Sequence, residues 1–197
     1  MLNIYEPSHD TYLLIDTLKN FHDLIALEIG VGNGLITQEL AMVNDFVVGI
    51  DIDPKAIDFT NQRIKKMHLT NRVDLLLGDG ISMFNNQFFD LVVFNPPYLP
   101  HDQYTDISTD GGIYGIEKTL YWLNLSLNII KSDGRVIFLV SDLSNPFYIL
   151  DRLQLDELSS IKLNILSKTK LFFETLYVLE ATRTKNYTYN ILNQLED

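Results

Sequence analysis

Short, unbroken apolar runs dominate the chain: Leu24 to Ile29, Phe46 to Ile50, Val73 to Leu77 and Phe89 to Phe94, each stopping against Gly, Asp or Asn. Their length and lack of alternation predict parallel strands buried on both faces. Between them lie stretches of helical length. Leu35 to Met42 follows a cluster of glycines, and Pro54 to Met67 opens on a proline suited to a first helical turn. This βαβ alternation predicts an α/β fold. A helix from about Ile116 to Ile130 and a turn at Ser132-Asp133-Gly134 lead to a fifth strand, Arg135 to Val140. The last two strands, Ile161 to Leu166 and Leu176 to Ala181, are joined too closely for a helical crossover and are expected to pair antiparallel. The pattern therefore predicts a Rossmann-like, three-layer αβα sandwich around a seven-stranded, mostly parallel sheet, with its active site on the carboxyl edge.

Composition narrows this picture. The 197 residues are 46% hydrophobic and 21% charged, as in an ordinary globular domain. One domain is expected over residues 1–182, with residues 183–197 a short polar tail. The absence of cysteine excludes disulfides and cysteine-based zinc sites. The formal net charge of -11 repels a phosphate backbone and speaks against direct nucleic-acid binding. The N-terminus lacks the basic leader and apolar core of a signal peptide, and no apolar run approaches the ~20 residues that span a bilayer. A cytoplasmic protein without a membrane anchor is the expectation.

The first chemical motif is Glu28-Ile29-Gly30-Val31-Gly32-Asn33-Gly34, between the first strand and its helix. A ligand lying against backbone tolerates no Cβ there, and a helix N-terminus offers free N–H groups. A tight strand-to-helix turn would also use glycines. The order strand, glycines, helix favours the ligand, because Asp51 follows about 20 residues on, at the end of the second strand, where an acid can accept both ribose hydroxyls. The other role open to Asp51 is capping the next helix, which Asp53 fills equally well. The pattern predicts an adenosine-type ligand without separating a dinucleotide from S-adenosylmethionine. Gly78-Asp79-Gly80, directly after the third strand, shares this edge and places an acid where an adenine amino group would lie; it also reads as a plain turn.

The most specific signal is Asn95-Pro96-Pro97-Tyr98 at the end of the fourth strand. Two prolines remove two backbone donors and hold the chain extended, leaving carbonyls free to accept hydrogen bonds. That suits a planar NH2 group. The Asn95 side-chain oxygen and the Pro96 carbonyl can each accept one N–H, while Tyr98 packs over the planar group. The alternative is a proline-stiffened loop. With the upstream motifs present, the catalytic reading prevails: orientation and electrostatics suffice for transfer of a methyl group to such a nitrogen, with no strong base.

Together, Glu28 to Gly34, Asp51, Asp79 and Asn95 to Tyr98 resemble the signature of class I S-adenosylmethionine-dependent methyltransferases that act on amino groups. The opening Tyr5-Glu6-Pro7-Ser8-His9-Asp10-Thr11-Tyr12-Leu13-Leu14 is similar to that of the eukaryotic and archaeal HemK-like branch, from which it departs at His9, where the family usually has an acid. The resemblance runs from Tyr5 to about Thr182. It implies methylation of a protein glutamine to N5-methylglutamine, in the Gly-Gly-Gln motif of the class 1 translation release factor. It also implies that Thr11, Glu28, Gly30, Gly32, Asp51, Asp79, Gly80 and Asn95 contact S-adenosyl-L-methionine. Asn95, Pro96, Pro97 and Tyr98 would then hold the glutamine amide, with the Gly-rich segment Asp110 to Gly115 closing over it.

The resemblance further implies a small zinc-binding activator subunit that pairs with the edge strand Val73 to Leu77, which is apolar enough to be a liability if left bare. No metal site is expected in the chain itself, since His9, His22, His68 and His101 lack ligand spacing. Alternative functions are a nucleic-acid amino methyltransferase, whose flipped base would fit the same loop, a protein lysine methyltransferase, and a cofactor-binding subunit without turnover. No target-recognition domain or basic channel accompanies the first, and the intact Asn95 to Tyr98 loop argues against the last.

Overall fold

The computed structural model describes residues 6–79, 84, 87–101, 109–144 and 161–183. Within them the chain runs α1 (His9–Leu18), β1 (Ile25–Ile29), α2 (Leu35–Val43), β2 (Phe46–Asp51), α3 (Pro54–Lys66), β3 (Val73–Leu77) and β4 (Phe89–Phe94). It continues through α4 (Glu117–Ile129), β5 (Ile130–Ser141), a 3-10 turn at Asp142–Ser144, β6 (Ile161–Lys170) and β7 (Thr175–Arg183). The seven strands form one sheet in the order β3-β2-β1-β4-β5-β7-β6. β1 to β5 are mutually parallel. β7 runs antiparallel to both neighbours, as the short β6–β7 connection requires.

Side chains alternate across each strand and feed two separate cores. Leu27, Ile29, Val92, Phe94, Val136 and Phe138 pack on one face beneath Leu123 and Leu127 of α4. Ala26, Val47, Leu91, Val93, Ile137 and Leu139 pack on the other beneath Leu14 and Leu18 of α1, Ile36 and Leu40 of α2 and Ile64 of α3. Burial on both faces is what erases the period-two pattern and leaves continuous apolar runs. The result is the expected three-layer sandwich.

Three details differ from the sequence reading. α1 was not among the expected helices. Its polar residues Asp10, Thr11 and Thr17 face inward, at 3%, 2% and 7% exposure, so its buried stripe does not look apolar. β5 begins at Ile130 rather than Arg135. From Phe89 to Leu91, two steps on β4 correspond to five on β5, between Ile130 and Arg135, so the Ser132-Asp133-Gly134 turn sits inside the strand as an irregularity. β6 extends past Leu166 to Lys170, with its own shift between Ile165 and Ser167. Of the expected tail, Arg183 closes β7 and residues 184–197 lie outside the described residues.

Register positions the site. Ile29 of β1 is level with Ile50 of β2 on one side and Phe94 of β4 on the other. The next residues along, Gly30, Asp51 and Asn95, therefore lie side by side on the carboxyl edge, at strand spacings of about 4.8 Å.

Candidate active site

The glycine loop is held by backbone before any side chain acts. Gly30 and Val31 both donate to the Ile50 carbonyl, at 2.8 and 3.2 Å, and Gly34 donates to the Val31 carbonyl at 2.8 Å. Gly32 (φ +50°) and Gly34 (φ +74°) take the left-handed conformation, for different reasons. A Cβ on Gly34 would lie 2.6 Å from Thr60 Oγ1, so this glycine lets α3 pack against the start of α2. A Cβ on Gly32 would meet no atom within 4 Å, so the loop faces open space there. Gly30 backs onto the Trp122 ring of α4, whose Cη2 would stand 3.4 Å from a Cβ.

Asp51 ties this loop to the next. Its Oδ2 accepts from Gly32 N at 3.0 Å and its Oδ1 from Asp53 N at 2.9 Å. Asp53, not Asp51, caps α3, its Oδ1 accepting from Lys55 N at 2.9 Å. That leaves Asp51 available to the crevice. Gly78 N donates to the Asp51 carbonyl at 2.9 Å, bringing the loop after β3 to the same place, with Asp79 exposed on it. Gly80 lies outside the described residues.

Glu28 is buried beneath the loop, 1% exposed, and accepts a hydrogen bond from Thr37 Oγ1 of α2. Desolvation pushes its pKa up to about 8, against the Thr37 bond and with help from the nearby Asp51 charge. Ordinary glutamate titrates near 4.5, so the folded state holds a proton that the unfolded chain releases through the window from 4.5 to about 8. Stability from this site is full below the lower value and is lost as pH rises through the upper one. Glu28→Gln keeps the shape without the titration. Its melting temperature should fall less than that of the wild type between pH 5 and pH 8; parallel profiles would contradict the assignment.

Asn95 ends β4 opposite α1. Its Nδ2 donates to Asp10 Oδ2 at 2.9 Å. The other Asp10 oxygen accepts from Thr11 N at 2.6 Å and from Thr11 Oγ1 at 3.2 Å. Thr11 is thus buried and turned toward Asp10. Asn95 Oδ1, by contrast, is buried with no hydrogen-bond partner among the described residues. An orphaned buried acceptor at a strand end invites a donor from a ligand. Pro96 is buried, while Pro97 and Tyr98 are half-buried, and Tyr98 packs against the core under α1 and α2.

The chain beyond Tyr98 is held by the Gly-rich segment. Leu99 and Asp110 form a parallel bridge, Gly111 N donates to the Leu99 carbonyl at 2.9 Å, and His101 N donates to the Gly112 carbonyl at 2.8 Å. A Cβ on Gly111 would come within 2.7 Å of the Pro97 carbonyl oxygen, and one on Gly115 within 2.5 Å of that of Tyr98. The middle of this loop, 102–108, lies outside the described residues. His101 was expected to be a surface or packing histidine. It is exposed, and its Nδ1 lies 2.9 Å from Asp110 Oδ2, an interaction that holds the Asp110 carboxyl below its usual range. No group of His, Asp and Glu able to hold a metal occurs among the described residues.

Gly30, Asp51 and Asn95 thus stand side by side at the carboxyl edge, with Gly32 and Asp79 on the neighbouring loops, Pro96 to Tyr98 continuing from Asn95, Glu28 buried beneath and Thr11 bonded to Asp10 behind Asn95. Two neighbours were missed: Trp122, behind Gly30, and Asp10, behind Asn95. The signal for Asp10 stood in the quoted opening motif, without a role.

Comparisons with known proteins identify the family. Residues 7–110 match the methyltransferase small domain family. A relative in Methanocaldococcus jannaschii, provisionally named protein N5-glutamine methyltransferase, is 32% identical over 189 residues, spanning 91% of this chain and 92% of the relative. The Schizosaccharomyces pombe protein named eRF1 methyltransferase catalytic subunit is 27% identical over 219 residues, spanning 93% of this chain and 91% of that protein. Among solved structures, a chain of the E. cuniculi Mtq2–Trm112 complex, described as methylating the eRF1 translation termination factor, superposes with a TM-score of 0.73 at 28% identity. That match spans 91% of this chain and 98% of the other. This chain belongs to the methyltransferase small domain family, among relatives named as protein glutamine methyltransferases.

Proposed function

We propose that this chain methylates the side-chain amide nitrogen of a protein glutamine, that of the Gly-Gly-Gln motif in a class 1 translation release factor, using S-adenosylmethionine. The observation that carries the reading is the buried Asn95 Oδ1 just after β4, which has no hydrogen-bond partner among the described residues. A site with a fixed, desolvated acceptor and two following prolines is built for a group that donates N–H, and a primary carboxamide presents two.

The residues on the neighbouring strand ends suit the cofactor. The open face of Gly32 gives backbone access, and Asp51 offers its remaining lone pairs to vicinal ribose hydroxyls. Asp79, exposed on the loop after β3, would accept from the adenine amino group. When bound, S-adenosylmethionine supplies an electrophilic methyl on a positively charged sulfur. The chain's part is to aim the amide nitrogen. As that nitrogen gains a substituent it becomes more acidic, so N–H bonds to Asn95 Oδ1 and the Pro96 carbonyl strengthen toward the transition state. The departing proton passes to water, and no side chain need act as a strong base.

A small partner subunit fits the same reading. β3 is an edge strand, with Asp74 exposed and Leu77 58% exposed. The solved match from E. cuniculi is itself a two-protein complex. A partner strand added to β3 would satisfy its free backbone groups and cover Leu77. A cysteine-based zinc site would belong to that partner, since this chain lacks cysteine. A translation factor as substrate places the activity in the cytoplasm.

Incubation with labelled S-adenosylmethionine and two competing acceptors, a purified release factor and oligonucleotides, tests the reading. Label is expected in the protein, at a rate raised by co-expression of the activator subunit. Label in the oligonucleotides alone would contradict the function. A monodisperse protein that is fully active without its partner would contradict the edge-strand pairing.

A further inference from the structure

We propose that Asp10 is a positioning residue that fixes which end of the Asn95 amide faces the methyl acceptor, and thereby selects acceptors that donate N–H. The proposal rests on the reading of Asn95 as the group that holds the substrate nitrogen. A carboxamide has an accepting and a donating end of almost the same shape, so only its surroundings decide its orientation. Behind Asn95 stands a carboxylate, which can only accept. Asp10 is 3% exposed, and its Oδ2 takes the Asn95 Nδ2 bond at 2.9 Å. With Nδ2 so committed, Oδ1 must point the other way, and it is this oxygen that is buried with no hydrogen-bond partner among the described residues.

Asp10 is itself held. Its Oδ1 receives the Thr11 backbone N–H at 2.6 Å and the Thr11 hydroxyl at 3.2 Å. A backbone donor cannot change sign, so an oxygen must occupy that position whatever residue stands there. The chain from Thr11 N–H through Asp10 and the Asn95 amide to the acceptor nitrogen then has one polarity. A negative charge behind the amide also polarises it and makes Oδ1 a stronger acceptor. The link joins residues 85 positions apart, from α1 to the end of β4.

Asp10→Asn discriminates sharply. Because Thr11 N–H still demands an oxygen, the new NH2 must face Asn95, whose amide turns over and offers Nδ2 to the substrate. Donor then meets donor. For D10N we expect kcat on the glutamine acceptor to fall about 10²-fold, with cofactor affinity and melting temperature close to wild type. In N95A the oriented group is gone, so D10N/N95A should lose no more than N95A alone. The reciprocal exchange D10N/N95D should recover about tenfold or more of the D10N loss, since the carboxylate now at the strand end accepts from α1 and still presents an oxygen to the substrate. A purely structural role would produce additive losses and no recovery.

A D10N enzyme with wild-type kcat would overturn the proposal, as would losses that multiply in D10N/N95A. A wild-type enzyme that leaves glutamine unmodified would overturn the functional reading instead. The Asp10 contact is readable without turnover, from the nitrogen-15 resonance of the Asn95 side-chain amide. Its protons should exchange slowly in the wild type and quickly in D10N; fast exchange in the wild type would refute the bond.

Discussion

Asn95→Ala is expected to lower kcat for the glutamine acceptor by about 10²- to 10³-fold, the loss typical of deleting one preorganised hydrogen-bond partner of a transition state. Asn95 Oδ1 is buried with no hydrogen-bond partner among the described residues, so an arriving substrate N–H supplies the donor it lacks. Its bond is weak to a neutral amide and strengthens as positive charge builds on nitrogen, which places the effect in kcat rather than in binding. Cofactor affinity should stay within a few-fold, because the glycine loop and Asp51 are tied to β1, β2 and α3 rather than to Asn95. The truncation also leaves Asp10 Oδ2 without its Asn95 donor. Steady-state kinetics with cofactor calorimetry on the same preparation checks the split. An equal fall in cofactor affinity would mean that Asn95 serves the cofactor rather than the acceptor.

Asp51→Ala should show the reverse pattern. Hydrogen bonds to a charged group contribute about 1.5–3 kcal/mol each, so losing the carboxylate that faces a ribose should weaken cofactor binding by about 10²-fold or more. A second effect adds to the first. Gly32 N and Asp53 N both donate to Asp51, and the glycine loop loses its tether to β2 when the acceptor goes. Asp51→Asn separates the two contributions, since its single oxygen can satisfy Gly32 while the charge is lost. Calorimetry of S-adenosylmethionine binding is the test, and unchanged affinity in Asp51→Ala would remove Asp51 from the ribose site. At saturating cofactor its kcat should recover more fully than that of Asn95→Ala.

The parts of this molecule legible in its sequence are those written in local pattern. β3 and β4 were delimited residue for residue, because strands buried on both faces read as continuous apolar runs and because Gly78 and Asn95 punctuate them. The carboxyl edge followed, since strands joined by helical crossovers run parallel and so all end on one side of the sheet. α1 escaped because its inward positions carry Asp10, Thr11 and Thr17, whose polarity is compensated by partners far along the chain: Asn95 for Asp10 and Ser167 for Thr17. The early start of β5 escaped because Ser132-Asp133-Gly134 is a turn signal that the sheet accommodates as three extra residues beside β4. The role of Asp10 was illegible for the same reason as α1. A hydrogen bond between residues 85 apart leaves no trace in periodicity or spacing.

The charge on Glu28 belongs to neither class. Its place in the motif is plain in the sequence, but its direction is not: it points into the core at Thr37 rather than openly into the crevice. A carboxyl that titrates near 8 can hold a proton and donate, which a surface glutamate at neutral pH cannot. The glycine loop thus lies above a buried acid whose carboxyl desolvation pushes up to about 8.

The most direct test of the account is site-resolved mass spectrometry of the release factor after incubation with S-adenosylmethionine, the activator subunit and either wild-type enzyme or Asn95→Ala. One added methyl is expected on the side-chain nitrogen of the Gly-Gly-Gln glutamine with the wild type and none at matched time with the variant. An unmodified glutamine in the wild-type reaction, with the methyl found on lysine or on nucleic acid, would contradict it.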